Sequence, residues 1–148
     1  MSAMTTQESR TSERELIEIV FPSSVELIVL ARFTAATVGA RANFDLNEID
    51  DLRLAVDELS VSFGPLDGDT CLRYEFVRDD DTVSVRCTRE PTAGERRVDR
   101  PMVDPLDWQH ARELSEQLLD ELVTAHGREI SYGRSVAWLT KQRGTGTA

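Results

Sequence analysis

The residues best suited to chemistry lie together in one stretch, Asp51-Leu-Arg-Leu-Ala-Val-Asp-Glu-Leu-Ser-Val-Ser-Phe63. Asp57 and Glu58 are an adjacent acidic pair, and Ser62 stands one helical turn after Glu58. A carboxylate in this setting is either a solvated helix charge or a group that handles a proton. Arg32 is a second oddity, because on a helical wheel it falls among Val25, Val29 and Ala36. It serves either a salt bridge, to Glu26 or another carboxylate, or a partner surface. Cys71 and Cys87 read as small buried strand residues, and their equal parity on adjacent strands leaves open a redox-sensitive pair on one face. Two histidines without a Cys-x-x-Cys argue against structural zinc. His110 reads as a first-turn surface residue, His126 as a charge at a helix C-terminus and Trp108 as a core or loop anchor.

The elements that must hold these residues follow from periodicity. Glu15 to Phe21 is apolar and β-branched, a strand that Pro22 stops. Ser23 and Glu26 have capping-box spacing, so a helix is expected from there to about Ala40. It is apolar around much of its circumference, more than a single core stripe requires. Asp45 and Glu48 start a second helix, with Ile49, Leu52, Val56, Leu59 and Phe63 as its core stripe and Gly64-Pro65 as its end. Cys71–Arg78 and Thr82–Arg89 alternate as a hairpin around Asp79-Asp80-Asp81. Residues 90–104 read as a loop. Asp104-Pro105 opens a third helix, with Leu106, Ala111, Leu114, Leu118 and Leu122 as its apolar positions and Gly127 closing it after His126. Glu129–Tyr132 and Ser135–Thr140 form a last hairpin. The order strand, helix, helix, two strands, helix, two strands predicts a two-layer α/β sandwich: a mostly antiparallel sheet with the helices on one face.

Composition bounds the function. The chain has 148 residues, 40% hydrophobic and 30% charged, with a net charge of −10. That charge argues against nucleic acid, because phosphate contacts need Lys and Arg, and it suits a basic protein partner. No apolar run approaches the ~20 residues of a membrane span. The polar N-terminus does not read as a signal peptide, which places the protein in the cytoplasm by default. Residues 1–13 read as a disordered tail, 14–141 as one domain and 142–148 as a second tail.

Leu52-Arg-Leu-Ala-Val-Asp-Glu58, preceded by Phe21-Pro-Ser-Ser and Leu30-Ala-Arg32 and followed by Trp138-Leu-Thr-Lys141, resembles the RsbW-type anti-sigma factors, closest to their divergent actinobacterial members. The likeness runs from about Glu15 to Lys141. It implies an α+β Bergerat fold, that of the histidine-kinase-like ATPases, with a mixed, mostly antiparallel sheet of about five strands and three helices on one face. It also implies an anti-sigma factor that sequesters a bacterial sigma factor in stress-response transcription and is released, by partner switching, by an anti-anti-sigma protein of the STAS type.

Residue by residue, the resemblance places Glu58 at the catalytic glutamate, Ser62 where active members carry a Mg²⁺-binding Asn, and Arg89 where they carry an adenine-binding Asp. The two glycine-rich phosphate segments have no counterpart here; Arg89-Glu-Pro-Thr-Ala-Gly94 and Trp108-Gln-His-Ala-Arg-Glu-Leu114 stand in their places. Arg32, with Ile28 and Val29, matches the partner-contacting part of the first helix. The reading is therefore sequestration through the first helix and nearby acidic surface, with a degenerate nucleotide site and no cofactor. The alternative is an active protein serine kinase that phosphorylates its anti-anti-sigma factor, with Glu58 as base and Mg-ATP as cofactor. A regulatory dimer without a sigma factor is a third reading, and the surplus apolar surface leaves room for a homodimer.

Overall fold

The computed structural model describes residues 14–66, 68–91 and 105–144, and for 105–108 the backbone alone. The expected tail at 1–13, residues 92–104 of the loop expected at 90–104, and the side chains of Leu106 and Trp108 lie outside the described residues, while Glu90 and Pro91 belong to the third strand. Five strands, β1 (Arg14–Pro22), β2 (Thr70–Asp79), β3 (Thr82–Pro91), β4 (Ala125–Ser131) and β5 (Arg134–Gln142), form one sheet in the order β1-β2-β3-β5-β4. Every neighbouring pair is antiparallel, so the sheet is not mixed as the resemblance implied. Helices α1 (Ile28–Arg41), α2 (Leu46–Val61) and α3 (Pro105–Leu122) contribute to a single core with one sheet face. Alternation sorts the strands: Phe21, Leu72, Tyr74, Phe76, Val83, Val85, Cys87, Ala137 and Leu139 enter that core. The rings of Phe21, Tyr74 and Phe76 stack in sequence through its centre.

Helix starts divide into one that follows its sequence cue and one that does not. Asp45 caps α2 in a complete capping box, its carboxylate accepting from the Glu48 amide at 2.8 Å while Glu48 accepts from the Asp45 amide at 2.9 Å. The corresponding box at Ser23 does not form. Ser23 is buried, and its hydroxyl pairs with that of Thr70 at 3.0 Å. The chain then makes a 3-10 turn over Val25–Leu27 before α1 begins at Ile28. The α2 stripe forms as expected, with Leu52, Val56 and Leu59 buried and Ile49 and Phe63 packed at its margins.

Five expectations on the remaining elements are corrected. The third helix ends at Leu122, so His126 and Gly127 belong to β4 and not to a helix end. Gly127 is a strand glycine for a steric reason: a Cβ there would sit 2.9 Å from the Trp138 ring. The inward stripe of α3 is Ser115, Leu119 and Leu122, whereas Leu114 is 66% exposed. The β2–β3 turn holds two residues, Asp80 and Asp81, because Asp79 pairs with Thr82. Asp80 takes a left-handed φ of 56°. In this register Cys71 faces Glu90 and Cys87 faces Tyr74, so equal parity puts the two cysteines on opposite faces and no redox pair forms. Burial raises the Cys87 thiol pKa far above the usual cysteine range. β5 reaches Gln142, and the Gly144 amide donates to Glu48 within the segment expected to be a tail.

Candidate functional site

Helix α2 presents its chemistry to two flanks. A helical step of about 100° separates neighbouring residues, so Asp57 and Glu58 address different neighbours. Asp57 meets α1: the Arg32 Nε donates to both of its carboxylate oxygens at 2.8 Å. The salt-bridge reading of Arg32 is thus realised, with Asp57 as the partner rather than Glu26. On the wheel of α1 half-buried Val29 lies about 60° from Arg32 and Phe33, 66% exposed, about 100°, whereas Leu30, 44% exposed, lies on the opposite side. Ile28 does not share that surface. It is 5% exposed and belongs to the core, in phase with Ala31, Ala35 and Val38. Of the three residues expected to face a partner, only Arg32 and Val29 reach the surface.

Glu58 lies on the α3 flank. Its backbone carbonyl accepts from the Ser115 hydroxyl at 3.2 Å, and its carboxylate makes no hydrogen bond or ion pair among the described residues. Ser62 is not inside the helix but at its C-cap, with its amide bonded to the Leu59 carbonyl at 3.3 Å. It lines a cavity of about 380 Å³ between the end of α2, the middle of α3 and β4, and an adjoining one of about 260 Å³ towards the β4–β5 turn. The walls of the first cavity are Leu59, Arg112, Ser115, Glu116, Leu119 and residues 126–128. Glu58 is not among them.

Arg89 faces the core side of the sheet but is spent on its own chain. Its Nε donates to Thr70 at 3.0 Å and an Nη donates to the Phe63 carbonyl just beyond α2. It therefore reaches the end of α2, next to Ser62, while Arg32 stays on the far flank. Among the described residues no group of three or more His, Cys, Asp or Glu side chains is placed to hold a metal, and no helix is long and apolar enough to cross a membrane. His126, expected at a helix end, instead pairs with Asp120 at 2.6 Å beside the cavity.

Arg112 escaped the sequence reading. It sits in the middle of α3 and lines both cavities, and its Nε is buried without a hydrogen-bond partner. Nothing in its local sequence distinguishes it from a solvated helix arginine; only the packing of α3 on α2 and β4 encloses it. No family model matches this chain, and no curated protein matches it. What the site can do rests on its own geometry.

Proposed function

We propose that this protein is an anti-sigma factor of the RsbW type that sequesters a sigma factor by binding alone, through a Bergerat-type domain whose nucleotide site has decayed. The observation that carries the proposal is the α1–α2 surface. There an arginine and a carboxylate form one bonded unit, with half-buried Val29 one turn before the arginine and exposed Phe33 on the adjoining solvent side, on a helix more apolar than one core face requires. Apolar anchors beside an ordered charge suit a protein partner. α2 adds Glu48, Asp50 and Asp51 against a single Arg53, so the partner segment is basic. The element order and the helices on one face of a five-stranded sheet support the fold assignment.

The donor chemistry of the nucleotide positions fits Mg-ATP poorly. An adenine amine needs an acceptor, and Arg89 offers only donors, committed to Thr70 and Phe63. A serine hydroxyl at Ser62 is shorter and a poorer dipole than the asparagine amide it replaces as an oxygen ligand for Mg²⁺. Release then follows from competition by an antagonist of the STAS type. The kinase reading retains one observation in its favour, the uncommitted Glu58 carboxylate.

Co-purification from the native host, with identification of the bound proteins, tests the proposal. A sigma factor is expected, and Arg32→Ala should weaken the complex by about tenfold or more while the protein stays folded. A preparation that retains no sigma factor sinks the proposal. A calorimetric titration showing tight, Mg²⁺-dependent ATP binding would move the assignment to the kinase.

A further inference from the structure

The cleft between α2, α3 and β4 holds one cationic group that the protein itself does not satisfy. An N–H removed from water and left without an acceptor is unfavourable, and buried polar groups are almost always paired. The Nε of Arg112 is such a group, and the same side chain lines a cavity large enough for a small ligand.

The neighbouring charges are already spoken for. Arg128 donates to Glu116 at 2.9 Å, and His126 pairs with Asp120. On the rim of the adjoining cavity, Glu129 is bonded to Arg86 at 2.9 Å. Among the described residues, subtracting these pairs leaves Arg112 as the one charged side chain lining the cleft without a partner, in a chain whose net charge is −10. The Ser62 hydroxyl opens onto the same space and makes no hydrogen bond among the described residues, so it stands ready as a second donor.

We propose that this cleft is a binding site for a small oxyanion, a carboxylate or a phosphate, gripped by Arg112 with Ser62 as the second donor. The buried Nε is out of a ligand's reach, so the two Nη groups make the contact; their neighbouring N–H groups also match two oxygens of a planar carboxylate or of a phosphate. The ligand is small and carries no purine, because the guanidinium at the position matched to adenine recognition, Arg89, is committed elsewhere. The assignment goes beyond the sigma-factor reading and does not depend on it.

The test is a ¹⁵N-edited NMR titration of the full chain, in which arginine Nε–H groups give their own signals. Inorganic phosphate and acetate are titrated separately at constant ionic strength, and Mg-ATP forms a third arm. Saturable shifts of the Arg112 Nε–H and the Ser62 amide with either small anion are the expected result. Arg112→Met should weaken that binding by about tenfold or more. The wild-type titration needs no variant, so it decides the matter even if Arg112→Met misfolds. No saturable shift at Arg112 with phosphate or with acetate overturns the proposal, as does unchanged anion binding in a folded Arg112→Met. Mg-ATP binding more than about tenfold tighter than phosphate overturns the small-ligand assignment and returns the cleft to the kinase reading.

Discussion

The α1 flank of helix α2 is tied by charges near the surface, and the α3 flank mainly by less exposed hydrogen bonds to carbonyls. On the first side Arg32 holds Asp57, and Arg41 at the end of α1 reaches Glu15 on β1, which also binds the buried Arg78. On the second side the Ser115 hydroxyl donates to the Glu58 carbonyl, and the buried Lys141 ammonium donates to the last carbonyl of α3, at Leu122, at 2.7 Å, with the Asp51 carboxylate of α2 more distant at 3.9 Å. The two flanks should therefore respond differently to solvent conditions. Exposed ion pairs are screened by salt and titrate with acid, while buried donors to carbonyls are insulated from both. One helix thus presents a face whose charges are available to a partner and a face whose geometry is fixed, and the enclosed cleft lies on the fixed side.

The largest effect that would break this comparison is at Lys141. Lys141→Ala strips the Leu122 carbonyl of its donor and removes a packed stem, and should cost about 2–3 kcal/mol in urea unfolding. A loss near zero would mean that α3 is not held by this bond. The α1 flank should yield less. A double-mutant cycle of Arg32→Ala and Asp57→Ala is expected to give a coupling of about 0.5–1 kcal/mol, because Arg32 is 43% exposed. That coupling should shrink in molar salt; a salt-independent value would place the pair in a drier setting than its exposure indicates.

The smallest effect concerns acid. Hydrogen bonds from Arg41 and then from Arg78 lower the Glu15 carboxyl from 4.5 to about 2. Since the folded-state value is depressed, the associated stability is present above about pH 4.5 and is lost as the pH falls towards 2. Glu15→Gln should remove that part of the slope, so wild type and variant converge in stability as the pH approaches 2. Parallel stability curves across this window would show that Glu15 does not contribute in this way.

How much was legible differed by element. Where a cue was local and its partner lay within four residues, the reading held, as in the Asp45–Glu48 box and the Leu52, Val56, Leu59 stripe. Where a residue had a competing long-range partner, it failed. Ser23 gave up its capping role to bond Thr70, and Gly127 became a strand residue because it meets Trp138. The cysteine pairing failed over one turn residue, which reversed the face assignment of a whole strand.

The sequence by itself determined the order of strands and helices, the capping of α2 and the acidic character of the helical layer, since these depend on periodicity, local hydrogen bonds and composition. It also singled out Arg32 and the acidic pair. Only the tertiary structure decided what those residues do. Asp57 and Glu58 are divided between two neighbours by a rotation of about 100°, which sequence adjacency conceals. Arg112, unremarkable in the sequence, has an Nε without a partner because α3 packs against α2 and β4 around it. Burial and pairing are properties of several segments at once, so no one segment's pattern encodes them.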